Sequence, residues 1–589
     1  MEHNRIWHLP APAPEPQVGA IQAATGLSRP VAEILVRRGI DTPERATGFL
    51  QPTGVGNLPD PLLFKGMREA VMRLAQAVAA KETLLVHGDY DVDGVTSSAM
   101  LTQALRALGC TVLPFVPNRF EDGYGISEKT LQRMQKHECS LLLTCDVGIA
   151  EAQKIRAIED DGRSVIVTDH HGEPLAGAPE ATAVVNPNQT ACPYPDKRLA
   201  GIGVAYMLLR ALYTEVGVDP DEKLNDYLDL VALGTVADVV PLRGVNRQLV
   251  TRGIDVARDS PSPGLLALLN VAKVPVSRVD AGVFGFQVGP RINAVGRMSQ
   301  SSLALQCLLA ETVPEAMSLA RTLDDANRKR KKVQRGIEQE VEEAFQARHR
   351  EDAWAIVEAN PDWHVGIVGI VASRMVERYA RPTFLFGRDP KTGVWKGSGR
   401  APDRDSVDLL DLLHGIKEVF PEGSRYGGHK AAAGATLATD DPRAVDAFRV
   451  ALAEEAERRM SREDRTPQHA VDAVVRVGEI NRELLDDLVQ LEPTGQDNRP
   501  ASLAILGADF ESVRVMGETG SHYRVEVKDD TGRLTEVVAF GMGDDRPEVL
   551  EWPRGLKIDL LGSPAMNRFR GRETVQFRAE DLRVHTGGG

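Results

Sequence analysis

The segment His87-Gly88-Asp89-Tyr90-Asp91-Val92-Asp93-Gly94 places three carboxylates at alternate positions directly after the apolar run Thr83–His87. At a strand end such carboxylates repel one another unless a hard cation neutralises them. Gly94 allows a tight turn into a following helix. A calcium loop of the EF-hand kind is disfavoured: counting from Asp89, the twelfth position, where a bidentate Glu is needed, is Met100.

Three more groups stand at comparable places. Asp146 follows the apolar run Leu141–Thr144, Asp169-His170-His171 follows Ser164–Thr168, and Asp238 lies within Gly234-Thr235-Val236-Ala237-Asp238-Val239-Val240-Pro241. In open α/β sheets ligands bind outside the carboxyl ends of the strands, so these groups are expected to converge on one crevice. A single Asp of this kind is more often a structural hydrogen-bonder; the combination carries the reading. Carboxylates with one or two imidazoles suit Mn²⁺ or Mg²⁺ rather than a closed zinc site. Two such ions about 3.5–4 Å apart can activate a water and stabilise the leaving oxygen of a phosphoryl displacement. Asp146 is the carboxylate expected to bridge them. His171 is expected to orient or protonate groups at the phosphate.

The elements that position these groups follow from periodicity. Met67–Ala80, Val95–Leu108 and Tyr227–Asp238 read as helices; Thr83–His87, Thr111–Val116, Leu141–Thr144, Ser164–Thr168 and Ala181–Val185 read as strands. Strands alternating with helices predict an α/β sheet, mostly parallel. Residues 1–60 read as Pro-rich and irregular, with one helical stretch around Val31–Arg38. A long helical run spans Leu303 to Arg350 and carries the cations Arg328 to Lys332, for which a solvated face is the default reading. A second α/β unit starts at Ala353–Val357 and holds the strand-like Pro382–Phe386, the Gly-rich Lys396-Gly397-Ser398-Gly399-Arg400 and Gly427-Gly428-His429. The charged stretch 461–470 reads as a linker. Five short strands follow at Ser512–Val515, Tyr523–Val527, Thr535–Phe540, Lys557–Leu561 and Thr574–Arg578, which suits a small barrel.

Composition sets the class. With 42% hydrophobic and 26% charged residues there is ample apolar material for folded cores. No run approaches the roughly 18 apolar residues of a membrane helix. Met1 to Gln17 lacks the basic and apolar regions of a signal peptide, so cytoplasm is the expected location. Five cysteines, an odd count with no CxxC pair, argue against a disulfide framework and a cysteine zinc site. The net charge of −14 argues against indiscriminate coating of a polyanion, although carboxylates that hold metal contribute to it.

Asp-x-Asp-x-Asp-Gly, a strand-end Asp, Asp-His-His and Gly-Thr-x-Ala-Asp, in this order, resemble the DHH phosphoesterase superfamily. Within it the chain is similar to the single-strand-specific 5′→3′ DNA exonucleases of bacteria. Supporting motifs are Pro117-Asn118-Arg119-Phe120 with Gly123-Tyr124-Gly125, Asn186-Pro187-Asn188, Leu199 to Ala205, Gly289 to Arg297, Trp363 to Gly369, and Gly427-Gly428-His429. Together they span about residues 65 to 435. The resemblance implies an α/β DHH catalytic domain with a mostly parallel sheet, a long connecting helix, a DHH-associated α/β domain and a C-terminal OB-fold-like β-barrel. The bounds expected are 1–60 for an N-terminal extension, 61–302 for the catalytic domain, 303–350 for the connecting helix, 351–460 for the substrate-binding domain and 461–589 for linker and barrel.

Carried over residue by residue, the resemblance implies a metal site of Asp91, Asp93, Asp146, His170 and Asp238. Asp89 is a further candidate, and so is His87, a ligand in smaller members that related nucleases manage without. Catalytic roles fall to His171, Asp146 and Asp169, the last holding a His in place. Substrate contacts are expected from Asn118, Arg119, Tyr124, Arg291, Arg297, Ser398, Arg400, Gly428 and His429. Cationic groups in Gly-rich loops approach phosphate closely, and Tyr124 can stack on a base. In the barrel, His522-Tyr523-Arg524, Arg568-Phe569-Arg570 and Phe577-Arg578 interleave aromatic and basic side chains, as a single-strand-binding surface needs.

The implied activity is hydrolysis of single-stranded DNA to 5′-mononucleotides with two Mn²⁺ or Mg²⁺ ions, in recombination and repair. The partners implied are a helicase and single-strand-binding protein, with no membrane and a monomeric chain. Two alternatives stand beside it: a DHH-family phosphodiesterase acting on short oligonucleotides, cyclic dinucleotides or pyrophosphate, and a non-catalytic replication scaffold.

Overall fold

Short apolar runs flanked by amphipathic helices fold here into a sheet buried on both faces. The computed structural model describes residues 5–52, 54–118, 125–296, 301–347, 353–404, 407–517, 520–569 and 572–587. They form two units. The first comprises Ala13–Asn327 with Asp486–Ala501; the second comprises Met1–Pro12, Arg328–Leu485 and Ser502–Gly589.

In the first unit, strands β1 (Thr83–Gly88), β2 (Thr111–Phe115), β3 (Leu141–Cys145), β4 (Ser164–Thr168) and β5 (Ala183–Val185) form one sheet in the order β2-β1-β3-β4-β5. All its pairings are parallel. Successive side chains point to opposite faces. Leu84, Val86, Leu141, Leu143 and Ile166 enter one core, and Leu85, Leu142, Val165 and Val167 enter the other. Strands buried on both sides read as continuous apolar runs, which is why the sequence displays them. Helices α1 (Met67–Ala80), α2 (Val92–Ala107), α3 (Gly201–Glu215) and α4 (Leu228–Ala237) pack into the first of these cores. The strand order reverses at β1, so the topological switch point, where α/β sheets bind ligands, lies between β1 and β3.

The N-terminal residues depart from the irregular reading. Three helices occupy Glu15–Thr25, Arg29–Arg37 and Pro43–Leu50, each with proline in its first two positions. Proline is suited there because its missing N–H would lack an intrahelical partner anyway. Arg247 ties this region to the segment after residue 485. Its buried guanidinium donates to the carbonyls of Phe49, Gln490, Leu491, Glu492 and Pro493 and lies over the Phe49 ring at 3.8 Å.

One helix, α5 (Val313–Ala347), is continuous; its residues to Asn327 belong to the first unit and those from Arg328 to the second. In the second unit β6 (Ile356–Ala359), β7 (Thr383–Arg388), β8 (Trp395–Arg400), β9 (Arg425–Gly428) and β10 (Ala432–Leu437) form a sheet in the order β9-β10-β8-β7-β6. Helix α6 (Val368–Tyr379) crosses between the parallel pair β6 and β7. The Gly-rich 396–400 segment, expected as a loop, is strand β8. Its glycines face the aromatic rings of β7: a Cβ at Gly397 would lie 2.4 Å from Phe386, and one at Gly399 would lie 2.1 Å from Phe384.

The C-terminal strands β11 (Leu503–Met516), β12 (His522–Lys528), β13 (Leu534–Ala539), β14 (Lys557–Phe569) and β15 (Arg572–Val584) close into a barrel through the pairing of β11 with β14. The 461–470 stretch is no unpaired tether, since Gln468–Ala470 pairs in parallel with Ile6–His8. Trp7 then reaches the barrel, donating from Nε1 to Asp581 Oδ2 at 2.9 Å. All five cysteines are buried and free. Among the described residues no helix is long and apolar enough to cross a membrane.

Two glycines test this packing with opposite signs. Gly399→Ala drives a methyl into Phe384 and is expected to destabilise by about 1–3 kcal/mol. Gly336→Ala, in the exposed middle of α5 with nothing within 4 Å of the new Cβ, is expected to stabilise by about 0.5–1 kcal/mol. Thermal unfolding of both variants measures the two shifts.

Candidate active site

The acidic cluster sits at the switch point, on the turn from β1 into α2 and at the ends of β3 and β4. Asp91 caps α2, its Oδ1 accepting from Gly94 N at 3.1 Å. Asp93, in the first turn of α2, is buried. Its Oδ2 accepts from Gly201 N at 2.6 Å and its Oδ1 from Ile202 N at 2.8 Å. These are the first amides of α3, whose positive end therefore faces the carboxylate. Residue 201 must lack a side chain for that approach: a Cβ there would lie 2.8 Å from Asp146 Cβ and 3.0 Å from Asp93 Oδ2.

Asp146, just past β3, has φ 61° and donates its N–H to Thr168 O at 3.0 Å. Asp238 ends α4, and the residue after it, Val239, has φ 61°. A β-branched residue in the left-handed region is strained, and such strain collects at functional sites.

His170 faces three of these carboxylates. Its Nε2 is 3.2 Å from Asp146 Oδ1, 3.6 Å from Asp238 Oδ2 and 4.0 Å from Asp93 Oδ2. Burial, with the neighbouring His171, pushes its pKa down to about 4, so the ring is neutral near pH 7. Burial also raises the carboxyls of Asp93, Asp146 and Asp238, and their mutual repulsion and that of Asp91 raise them further. Among the described residues, Asp146 Oδ1, His170 Nε2 and Asp238 Oδ2 are buried without a hydrogen-bond partner. Lone pairs gathered in this way, with no proton donor supplied by the protein, fit a divalent cation.

Three groups of donor atoms lie within 4.8 Å of one another: Asp146, His170 and His171; Asp93, His170 and Asp238; and Asp89, Asp91 and Asp146. Asp146 and His170 each belong to two of them. His87 belongs to none. Its ring is fully buried, edge-on to Phe115, with Nδ1 3.2 Å from Thr130 Oγ1.

Asp169 spends its oxygens on the protein. Oδ1 accepts from His171 Nδ1 at 2.8 Å, His170 N at 2.7 Å and His171 N at 3.1 Å, and Oδ2 accepts from Ile149 N at 3.0 Å. Burial alone would raise its carboxyl, but the His171 bond and charge, with the backbone donors, hold it below the usual value. The same bond raises His171, whose side chain is 49% exposed. Asn186 and Asn188, quoted above only as a motif, hold the two histidines from behind. Asn186 Nδ2 donates to His171 O at 2.9 Å and Asn188 Nδ2 to His170 O at 2.6 Å. The spacing of an Asn-Pro-Asn turn does not announce that task.

The expected substrate residues are dispersed. Arg119, Tyr124 and Arg297 lie outside the described residues. Asn118 is half-buried, three residues past the end of β2. Arg291 is paired with the buried Asp324, Nη2 to Oδ1 at 2.9 Å. In the second unit, Ser398 and Arg400 share one face of β8, and Arg400 Nη1 donates to Ser398 Oγ at 3.3 Å. Arg400 has no carboxylate partner among the described residues, and burial lowers its pKa. Gly369, in the first turn of α6, lies above this pair: a Cβ there would be 2.7 Å from Ser398 Oγ. A cation beside a helix N-terminus suits an anion. Gly428, with φ 150°, and the exposed His429 form the β9–β10 turn.

The barrel corrects the aromatic reading. Tyr523 and Phe577 are core residues, 1% and 0% exposed. The Phe569 side chain and Arg570 lie outside the described residues. Among the described residues of the barrel the exposed ring is Phe540, with Arg578 5.4 Å from its centroid and His522 edge-on to it. Of the cations on α5, Arg328, Lys329, Lys331 and Lys332 are exposed, and Arg330 turns partly inward toward Gln334.

Two substitutions probe the geometry. Gly201→Ala is expected to abolish Mn²⁺ binding by displacing Asp146 and Asp93, and Asn186→Ala to weaken it by about 10–100-fold. Titration calorimetry with Mn²⁺ measures both.

Residues 83–235 match the DHH family, N-terminal domain; residues 352–458 match the DHHA1 domain; residues 471–581 match the RecJ OB domain. The single-stranded-DNA-specific exonuclease RecJ of Bacillus subtilis (strain 168) is 34% identical over 580 residues, 98% of this chain and 71% of that protein. RecJ of Escherichia coli (strain K12) is 34% identical over 560 residues, 91% of this chain and 93% of that one. The crystal structure of RecJ in complex with Mn²⁺ from Thermus thermophilus superposes with a TM-score of 0.81 at 30% identity, covering 100% of this chain and 82% of that chain. A similarity that spans catalytic sheet, DHHA1 domain and barrel together is a similarity of whole proteins, and the chain belongs to the RecJ family.

Proposed function

We propose that the chain is a divalent-metal-dependent exonuclease that degrades single-stranded DNA from the 5′ end to 5′-mononucleotides, in DNA recombination and repair. The observation that carries this reading is the cluster of buried, partnerless lone pairs on Asp146, His170 and Asp238. Membership in a family of single-stranded-DNA-specific exonucleases supports it, as do relatives whose structures hold Mn²⁺ and Mg²⁺. The presence of a barrel matching the RecJ OB domain favours a polymer over a cyclic dinucleotide.

On this reading Asp89, Asp91, Asp93, Asp146, His170 and Asp238 would hold two Mn²⁺ or Mg²⁺ ions. When bound, the ions supply an activated water and neutralise charge on the phosphodiester. The α3 amides hold Asp93 in register and favour its charged form. Asp169 fixes His171 through Nδ1, which leaves Nε2 as the atom to contact or protonate a phosphate oxygen. His87 is assigned to packing. Ser398, Arg400, Gly428 and His429 serve a substrate phosphate, and Phe540 with Arg578 serves a base further along the strand. The domain bounds stated from the sequence are proposed with two changes: the connecting helix is Val313–Ala347, and Asp486–Ala501 goes with the catalytic unit. The partners, a helicase and single-strand-binding protein, and the monomeric state are kept. A cytoplasmic location accords with five free, buried thiols.

One incubation tests the reading: the protein with Mn²⁺ on 5′-phosphorylated single-stranded DNA, duplex DNA, RNA and a cyclic dinucleotide. Mononucleotides are expected from the first alone, with loss on chelation and recovery on adding Mn²⁺. Asp93→Ala and Asp146→Ala are each expected to lose on the order of 10³-fold or more in rate while keeping the circular dichroism spectrum. Cleavage of the cyclic dinucleotide in preference to the strand would overturn the assignment.

A further inference from the structure

Arg291 is expected from the sequence to touch substrate, but its guanidinium is turned into the protein. Nε and Nη2 both reach Asp324 Oδ1, at 3.0 and 2.9 Å, and Nη1 donates to Gln287 O at 2.5 Å. The Arg291 and Asp324 side chains are 12% and 5% exposed. All three nitrogens of the guanidinium are therefore engaged within the chain. Gln287 belongs to a single π-helical turn, Phe284–Val288, which leads directly into the helix Gly289–Gly296. Asp324 lies on α5, in the part that belongs to the first unit. Arg291 thus fastens the start of the helix both to the turn before it and to α5. The helix in turn lies against the backbone that carries the metal-site carboxylates. A Cβ on Gly296 would lie 3.1 Å from Tyr90 O, the carbonyl of the peptide bond to Asp91. A Cβ on Gly289 would lie 3.7 Å from Val92 Cγ2, between Asp91 and Asp93, and 3.3 Å from Ala237 Cβ, beside Asp238. Ile292 and Val295, between those two glycines, are buried in the same core as Val92.

We propose that Arg291 and Asp324 are positioning residues for the metal centre: their buried ion pair clamps the helix Gly289–Gly296 against the turn 89–93 and the end of α4, and so sets the affinity for divalent ions. The inference rests on the metal reading of the acidic cluster. Carboxylates that repel one another move apart unless their backbone is held from outside, and groups that touch no metal still change metal affinity by fixing those that do. A buried ion pair suits a clamp, because removing one partner strands the other charge out of water and the contact cannot be loosened cheaply. Arg291 acts through the helix and touches no strand, so its loss falls on metal affinity and leaves the KM for DNA unchanged once metal is saturating.

The test titrates the full chain with Mn²⁺ by calorimetry and follows thermal unfolding in parallel. Arg291→Met and Asp324→Ala are each expected to weaken Mn²⁺ binding about tenfold. The double variant is expected to weaken it by the same factor and no more, since both changes release one clamp. Arg291→Lys, which can still pair with Asp324, is expected to keep the affinity within about threefold of the unaltered protein. Asp324→Asn keeps the shape and removes the charge, so it carries the test if the larger changes prevent folding; it is expected to weaken binding about threefold. Unchanged Mn²⁺ affinity with a lowered unfolding temperature would show a pair that serves stability alone, and would overturn the proposal. So would an unchanged affinity in Arg291→Met with a raised KM for 5′-phosphorylated single-stranded DNA at saturating Mn²⁺, the mark of a direct substrate contact. Calorimetry reads the metal itself, so the outcome stands whether or not the protein cleaves DNA.

Discussion

Carboxylates held this close repel one another, and the first unit is organised around holding them together. The opposing forces are supplied by backbone. The N-terminal amides of α3 bind both oxygens of Asp93, Gly94 N binds Asp91, and the sheet fixes Asp146 through Thr168. The Asp-His-His turn is braced twice, by Asp169 on His171 and by Asn186 and Asn188 on the two histidine carbonyls. None of these bonds satisfies the lone pairs on Asp146, His170 and Asp238 that face inward. The protein thus provides the geometry and leaves the charge balance to a bound cation.

The parallel sheet makes this possible at one place. Parallel strands deliver all their carboxyl ends to one edge, and the order β2-β1-β3-β4-β5 opens a crevice where the helices diverge. Close approach then depends on small residues. Gly201 lets α3 lie against Asp93 and Asp146, as Gly399 in the second unit lets β8 lie against Phe384. Left-handed backbone at Asp146 and Val239 shows local conformation yielding to the aim of a carboxylate. Arg247 is a buried cation whose hydrogen bonds go to five carbonyls, with the Phe49 ring beneath it and the Glu492 charge nearby.

Much of this was legible from residue order. Apolar runs ending in Asp, and Asp-His-His after a strand, are local patterns, and a strand buried on both faces declares itself by composition. The family resemblance and the closed barrel followed the same logic. The misreadings have a common cause. The 396–400 segment looked like a loop because glycine is frequent in turns, yet here each glycine makes room for a ring on the neighbouring strand. Residues 1–60 looked irregular because prolines were counted and not placed at helix starts. Tyr523 and Phe577 looked like stacking platforms because strand alternation does not say which face is outside.

The sequence by itself determined the chemistry on offer: oxygen-rich ligands with imidazole, suited to Mn²⁺ or Mg²⁺, at the ends of parallel strands. These follow from side-chain type and from periodicity, which are properties of neighbours along the chain. Only the tertiary structure decided which group does what. It bound Asp169 to His171 and to three backbone amides, brought Asp146, His170 and Asp238 together with their lone pairs facing inward, and gave Asn186 and Asn188 their hold on the two histidine carbonyls. Those outcomes depend on distances between residues far apart in sequence. Coulomb and hydrogen-bond energies change steeply over the few ångströms that folding alone fixes.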